Sequence, residues 1–423
     1  MKNLYSKILK ITFVIAGYTL IFAQYSNGYI VTNEGNFGSP NAEISYIDEN
    51  NVITNNVYAL ANDGATIGDI LQSIYFNEGK SYMVVNNSNK LIVVNRTTFV
   101  KTTEITDNII QPRYTTIANG KLYTTNWGNG SSGKFVSVHN ATTYIHIKNI
   151  PLSQDAEEIL TVNGKVYVMK ASFSTGNSIE VIDATTDTII KTITLSNGLQ
   201  SIKASGNDIF ALCSSGSGST VYKINTTTDT IADSVENTDI KSAWKFALDG
   251  ANLYIANGLN VYSLTTDLSV FSSTPIFSVA SSQGWDEFYG FAAIDGKIFQ
   301  GNANGFIAPS ILNVYNPTGT ILNTFTATMG INGVYKNVFD PGSLSSTNVK
   351  PVSSVTIYPN PVSETLYIKN ANSATYKIFD LSGKLVKHGV YQNGITISGL
   401  GKGAYIIQIL DKNVQKTEKF IVK

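Results

Sequence analysis

In this 423-residue chain, the side chains best suited to hold a ligand lie in irregular stretches between runs of alternating apolar residues. They are Phe37, Asp69, Arg113, Tyr114, Trp127, Asp155, Glu157, Trp244, Trp285, Asp286 and Tyr289, and they include all three tryptophans. Flat aromatic faces give stacking area, and a few polar groups among them fix orientation, which is what a small-molecule or glycan site requires. Arg113 adds a planar cation that can grip a carboxylate at two points. The carboxylates Asp69, Asp155, Glu157 and Asp286 admit a second reading as an acid/base set or as metal ligands. No spacing among them prescribes a pair, and surface solvation is a third reading. Trp244 and Tyr289 open apolar runs and also read as packing between neighbouring sheets. Arg113 also reads as a bridge to a nearby acid.

Other chemistry is thinly represented. Cys213 is the only cysteine, so an intrachain disulfide and a cysteine zinc site are excluded, and its strand context reads as a small buried hydrophobe. The three histidines, His139, His146 and His388, form no metal-binding spacing, and no G-x-S-x-G nucleophile turn is evident. The expectation is a binding protein with no catalytic residues, no metal and no cofactor. A hydrolase or lyase using loop carboxylates is an alternative.

The elements that position these residues repeat. Gly-centred turns fall at Asn27-Gly28, Glu78-Gly79, Asn119-Gly120, Asn163-Gly164, Ser205-Gly206, Asp249-Gly250 and Asp295-Gly296, with steps of 51, 41, 44, 42, 44 and 46 residues. Each is followed by an apolar-alternating strand. A period of roughly 40–50 residues holding several strands is a β-propeller signature. In the fourth repeat Ile159–Val162, Lys165–Met169, Ile179–Asp183 and Thr188–Leu195 make four strands, lettered A to D from the inside outward. Only 14% of residues are charged, while 23 Tyr and 19 Phe accompany many Thr, Asn and Gly, a mixture that favours strands and turns. The expected fold is all-β: a seven-bladed propeller over residues 24–340, then a small β-sandwich. The first repeat lacks an A strand, and residues 333–339 are expected to supply it.

Chain order then sorts the faces. The A–B and C–D turns share one face and are short. The B–C and D–A connections share the other, are longer, and carry the candidate residues. Asn33, Asn126, Asn257 and Asn302 each end a B strand, as Asn86 nearly does; they read either as a polar ring or as caps of the B–C turn.

Charge is zero overall but uneven. Residues 1–23 carry three Lys and no acid, and residues 352–423 carry nine Lys against four acids, leaving 18 basic and 26 acidic residues between them. An acidic body argues against nucleic-acid binding. Lys2, Lys7 and Lys10 before the apolar run Ile11–Ala23 read as a secretory signal peptide over residues 1–23. Residues 341–351 read as a linker, and residues 352–423 as short strands with turns at Ser382-Gly383 and Asn393-Gly394.

Three resemblances extend this reading. Tyr358-Pro-Asn-Pro361, Phe379-Asp-Leu-Ser-Gly-Lys384, Gly403-Ala-Tyr405 and Lys419-Phe-Ile-Val-Lys423 resemble the type A sorting domain of the type IX (Por) secretion system of Bacteroidota. That implies a partner in the type IX machinery, removal of the tail, and a product released or held on the cell surface. The repeats Ile179–Asp183 with Ala184–Asp187, and Val221–Asn225 with Thr226–Asp229, resemble the YVTN, or YncE-like, propeller repeat. Gly28–Gly38, Asn41–Asp48, Ile67–Asp69, Val85–Asn89 and Pro112–Tyr114 look like surface propellers of Bacteroidota similar to the cobalamin-capturing BtuG. That implies a small-molecule ligand such as a corrinoid or glycan, or a surface protein, and an outer-membrane transporter as partner. Absence of a lipoprotein cysteine departs from that pattern. A surface adhesion or surface-layer role is the alternative to ligand capture.

Overall fold

The computed structural model describes residues 25–130, 133–280, 286–339, 356–369, 374–380, 385–411 and 414–423. The expected signal peptide, the expected linker and Trp285 lie outside the described residues. The chain divides into two units, Met1–Phe339 and Asp340–Lys423.

Burial explains the first unit from the strand upward. In Lys165–Ser172 both faces are covered, and Val166, Tyr167, Val168 and Met169 are all buried. A strand hidden on both faces has a sheet on either side. The outermost strand of the next sheet, Thr230–Asn237, is almost wholly exposed, so cover fades outward. Seven four-stranded antiparallel sheets occur among the described residues of this unit. Their inner strands are Ile331–Asn337, Leu71–Asn77, Pro112–Ala118, Ile159–Val162, Leu199–Ser205, Lys245–Asp249 and Gly290–Ile294. Each touches the next, and the last touches the first, so the seven sheets form a closed ring. Closure removes inner edges that would otherwise present unpaired backbone. Side chains such as Ile179, Leu199, Ile202 and Ile209 fill the space between sheets, each contributing about 1.5–3 kcal/mol on burial.

The ring closes with strands from both ends of the unit. Ile331–Asn337 pairs antiparallel with Gly28–Asn33, setting Val334 opposite Val31 and Asn337 opposite Gly28. The strand begins at Ile331 rather than Gly333. Gly28 is correspondingly a strand residue and not a hairpin turn, because its inner partner comes from the far end of the unit. A Cβ at Gly28 would collide with the Ile47 carbonyl oxygen. Asn337 is fully buried here: its amide donates to the Tyr25 carbonyl (2.6 Å) and accepts from Arg96 Nε (2.7 Å). Arg96 also lies over the Phe76 and Phe339 rings, at 4.7 and 5.2 Å.

The short-turn face is held by a repeated lock. Lys121 Nζ reaches both oxygens of Asp187 at 2.7 Å, and Tyr123 donates its hydroxyl to the same carboxylate at 2.5 Å. Lys165, Tyr167 and Asp229 repeat this one sheet onward, with contacts of 2.6, 2.7 and 2.5 Å. Asp187 and Asp229 both have positive φ, 54° and 55°, at C–D turns. Each turn therefore ties its sheet to the preceding one.

Three of the asparagines ending B strands, Asn33, Asn126 and Asn302, are buried internal stitches. Asn126 is fully buried; it accepts from the Ile110 amide (2.9 Å) and donates to the Thr124 carbonyl (2.8 Å) and Ser137 Oγ (3.1 Å).

The second unit has two small sheets. One is Thr356–Tyr358, Thr365–Lys369 and Ile395–Thr396; the other is Leu385–Val390, Thr375–Asp380, Gly403–Asp411 and Val414–Val422. Ile357, Val362, Leu366, Ile378, Ile407 and Phe420 form its core. Among the described residues of the chain no helix is long and apolar enough to cross a membrane.

Candidate functional site

The inner strands open toward the irregular-loop face, and their first residues converge on a cavity of ≈ 640 Å³. Gln72, Arg113, Glu157, Gln200, Lys245, Tyr289 and Asn332 supply its polar lining, one from each sheet, joined by Glu34 and Glu158. Tyr114, Phe173, Leu199, Trp244 and Tyr335 supply apolar surface. Tyr114, Glu158, Trp244, Lys245 and Tyr335 also line a second cavity of ≈ 440 Å³ between the inner strands. Ile74, Ile159, Ile202, Phe246, Phe291 and Val334 supply apolar surface there, beside Gln200, Lys203 and Asn332. The site is thus a funnel of mixed polar and apolar lining that continues between the inner strands, the form of a cleft that orients a ligand by a few polar groups.

Its charges are mostly paired. Arg113 Nε lies 3.0 Å from Glu157 Oε2, and its guanidinium carbon sits 3.9 Å from the centre of the Trp127 ring. Trp127 in turn meets Phe173, with ring centres 5.4 Å apart. Burial pushes the Glu157 carboxyl up to about 7 despite Arg113. Glu158 takes Lys203 Nζ at 2.5 Å, Ser201 Oγ at 2.8 Å and the Ile202 amide at 2.7 Å. Glu34 is 8% exposed; it accepts from the Tyr289 hydroxyl (2.6 Å) and the Asn332 amide (3.3 Å), and burial raises its pKa. Lys245 Nζ lies over Trp244 and Tyr289, 4.4 and 5.3 Å from the ring centres, and burial pulls its ammonium down to about 8.

The residues singled out in the sequence separate into two groups. Arg113, Tyr114, Glu157, Trp244 and Tyr289 line the funnel, and Trp127 backs Arg113. The others do not converge there. Asp69 holds a loop, accepting from the Gly38 amide (3.0 Å) and the Asn87 side chain. Asp155 pairs with Lys134 (2.7 Å) and accepts from Ser172 Oγ (3.1 Å). Asp286 is 1% exposed and accepts from the Gly305 amide. Phe37 is an 81% exposed loop tip. The four carboxylates therefore do not form one acid/base or metal-binding set, because each satisfies a different nearby donor. Among the described residues no group of three or more His, Cys, Asp or Glu is placed to hold a metal.

Glu34, Gln72, Glu158, Gln200, Lys245, Asn332 and Tyr335 are funnel residues that the sequence reading passed over. A signal for some of them existed. Counting seven residues back from Gly79, Gly120, Gly164 and Gly296 lands on Gln72, Arg113, Glu157 and Tyr289.

A family model described as a domain of unknown function (DUF5074) matches residues 27–291. The chain belongs to this family. The DUF5074 match takes in the sheets from Gly28 onward and ends as the Gly290–Ile294 strand begins, short of the closing strand that carries Asn332 and Tyr335. Residues 356–423 match the secretion system C-terminal sorting domain, which indicates type IX export to the cell surface or secretion. No curated protein sequence matches the chain. Among solved structures, a functionally unknown protein from Desulfotomaculum acetoxidans is similar, with 13% identity and a TM-score of 0.57 over 74% of this chain and all (100%) of that one. A quinoprotein alcohol dehydrogenase-like protein from Bacteroides thetaiotaomicron gives 14% identity and a TM-score of 0.56 over 74% and 79%. Kuenenia stuttgartiensis hydrazine synthase gives 14% and 0.50 over 60% and 85%. Likeness at these identities is likeness of fold, and the fold is propeller-like.

Proposed function

We propose that this DUF5074 protein is a secreted or cell-surface binding protein that holds a small molecule in the funnel formed by its inner-strand openings. The observation carrying this reading is the convergence of one polar residue from each of the seven sheets on a single ≈ 640 Å³ cavity. Convergent polar groups among apolar and aromatic lining are what orienting a small ligand requires. The sequence likeness to YncE-like and BtuG-like surface propellers supports a corrinoid-like cofactor or a glycan as ligand, handed on to an outer-membrane transporter. Export by a signal peptide, followed by removal of the sorting tail, fits such a role.

Thermal-shift screening of the tail-less propeller against corrinoids and glycans tests it. A bound compound near 100 times its Kd raises the midpoint by about 3 °C or more. No shift with any compound at about 1 mM counts against the funnel as a binding site.

A second reading, attachment to a surface protein, is favoured by three apolar tips on the loop face. Phe37, Phe173 and Ile307 are 81%, 82% and 86% exposed. Exposed apolar tips around a polar rim are a contact surface as well as a funnel mouth.

A further inference from the structure

We propose that the funnel selects an organic monoanion, a flat ligand bearing one carboxylate, and that Lys245 is the group that receives the acid. The proposal rests on the funnel being the binding site and names the chemical class it takes.

Pairing within the funnel carries the argument. Arg113 is taken by Glu157 at 3.0 Å and Lys203 by Glu158 at 2.5 Å. Both Glu34 oxygens are occupied, by Tyr289 and Asn332. Lys245 differs: among the described residues neither a carboxylate nor another acceptor lies within bonding distance of its ammonium, which has only the faces of Trp244 and Tyr289. Ring faces steady a cation but leave its N–H groups without acceptors. A half-buried ammonium in that state gains most from an anionic acceptor, since charge-assisted hydrogen bonds are the strong ones.

The surroundings restrict the anion. Glu34, Glu157 and Glu158 line the same cavity, and Glu157 and Glu158 already take up the charge of Arg113 and Lys203, so a second negative charge on the ligand would find no further cation to receive it. A carboxylate suits the site better than a dianionic phosphate. The rest of the lining suits a flat body: Phe173, Tyr114 and Tyr335 offer apolar faces, and Gln72 and Gln200 offer neutral polar groups. Burial sets the Lys245 ammonium near 8, with Glu34 and Glu158 opposing the shift and Lys203 reinforcing it. Capture of the acid is accordingly expected to weaken above that pH.

The test uses three probes with one ring system: 2-naphthoate, 2-naphthamide and 2-naphthyl phosphate. Ligand-observed NMR at pH 7 gives the affinity of each for the propeller. The expected order is naphthoate at least tenfold tighter than both others. Lys245→Met should bring naphthoate to within twofold of naphthamide, and Lys245→Arg should restore part of the preference. An unchanged thermal midpoint in both variants shows that folding is intact. Equal binding of acid and amide by the natural protein, or a preference that survives Lys245→Met, overturns the monoanion assignment while leaving the funnel as a site. Tighter binding of the phosphate overturns the charge limit. Binding of no probe overturns the monoanion assignment, while the funnel reading stands or falls on the thermal-shift screen with corrinoids and glycans.

Discussion

The guanidinium of Arg113 lies 3.9 Å above the centre of the Trp127 ring while its edge bonds Glu157 at 3.0 Å. One planar cation thus joins a D–A opening, a B–C loop and the next sheet. Lysine cannot do this, because an ammonium has neither the flat face nor the fork. Arg113→Ala leaves Glu157 in the funnel without its partner. At pH 8 the expected loss is about 2–3 kcal/mol in urea unfolding. The loss should shrink at pH 5–6, where Glu157 takes up a proton and needs no cation. A loss independent of pH contradicts this assignment of the pair.

Glu157 also gives the natural protein a pH signature. Its folded value near 7 lies above the ordinary 4.5, so the folded state binds the extra proton between those limits. Stability from this group is full below about 4.5 and is lost as pH rises through about 7. Relative to Glu157→Gln, the natural protein should lose about 1–3 kcal/mol between pH 5 and 8. Parallel stability curves for the two proteins would show that Glu157 does not titrate there.

The two Lys–Asp–Tyr locks predict additive losses. Asp229→Ala removes the acceptor for Lys165 and Tyr167, at a cost of about 1–3 kcal/mol. Asp187→Ala removes the acceptor for Lys121 and Tyr123, with no residue shared between the two sets. The double variant should equal the sum within about 0.5 kcal/mol. Strong non-additivity in equilibrium unfolding would mean that the two turns act as one unit.

Ring closure predicts where the chain can be cut. A chain ending before Ile331 loses the strand that covers Gly28–Asn33 and should melt without a cooperative transition. A chain ending at Phe339 keeps the first unit whole and should melt as the full protein's propeller does. Circular dichroism of both truncations checks this.

The repeat was legible because it is local. Asn119-Gly120, Asn163-Gly164 and Asp295-Gly296 all take positive φ at both residues, the hairpin geometry that such dipeptides favour. Gly28 looked the same, yet it sits in a strand, because the position of its partner is set by ring closure and not by its neighbours. The funnel was half legible. Aromatics drew attention to Trp244 but not to adjacent Lys245, whose importance lies in lacking an acceptor, a property of three-dimensional pairing. Asp69 and Asp286 misled for the converse reason: loops bury backbone amides that need acceptors, and these carboxylates serve them.

The central claim, that a ligand occupies the funnel, is tested most directly by fluorine NMR of protein carrying 5-fluorotryptophan. Three tryptophans give few signals, and single Trp→Phe variants assign them. Titration uses whichever corrinoid, glycan or naphthoate most raises the thermal midpoint. Occupancy of the funnel predicts that the Trp244 and Trp127 resonances both move and saturate with the same Kd as the thermal stabilisation. A stabilising compound that leaves both resonances unmoved would place its site elsewhere and contradict the account.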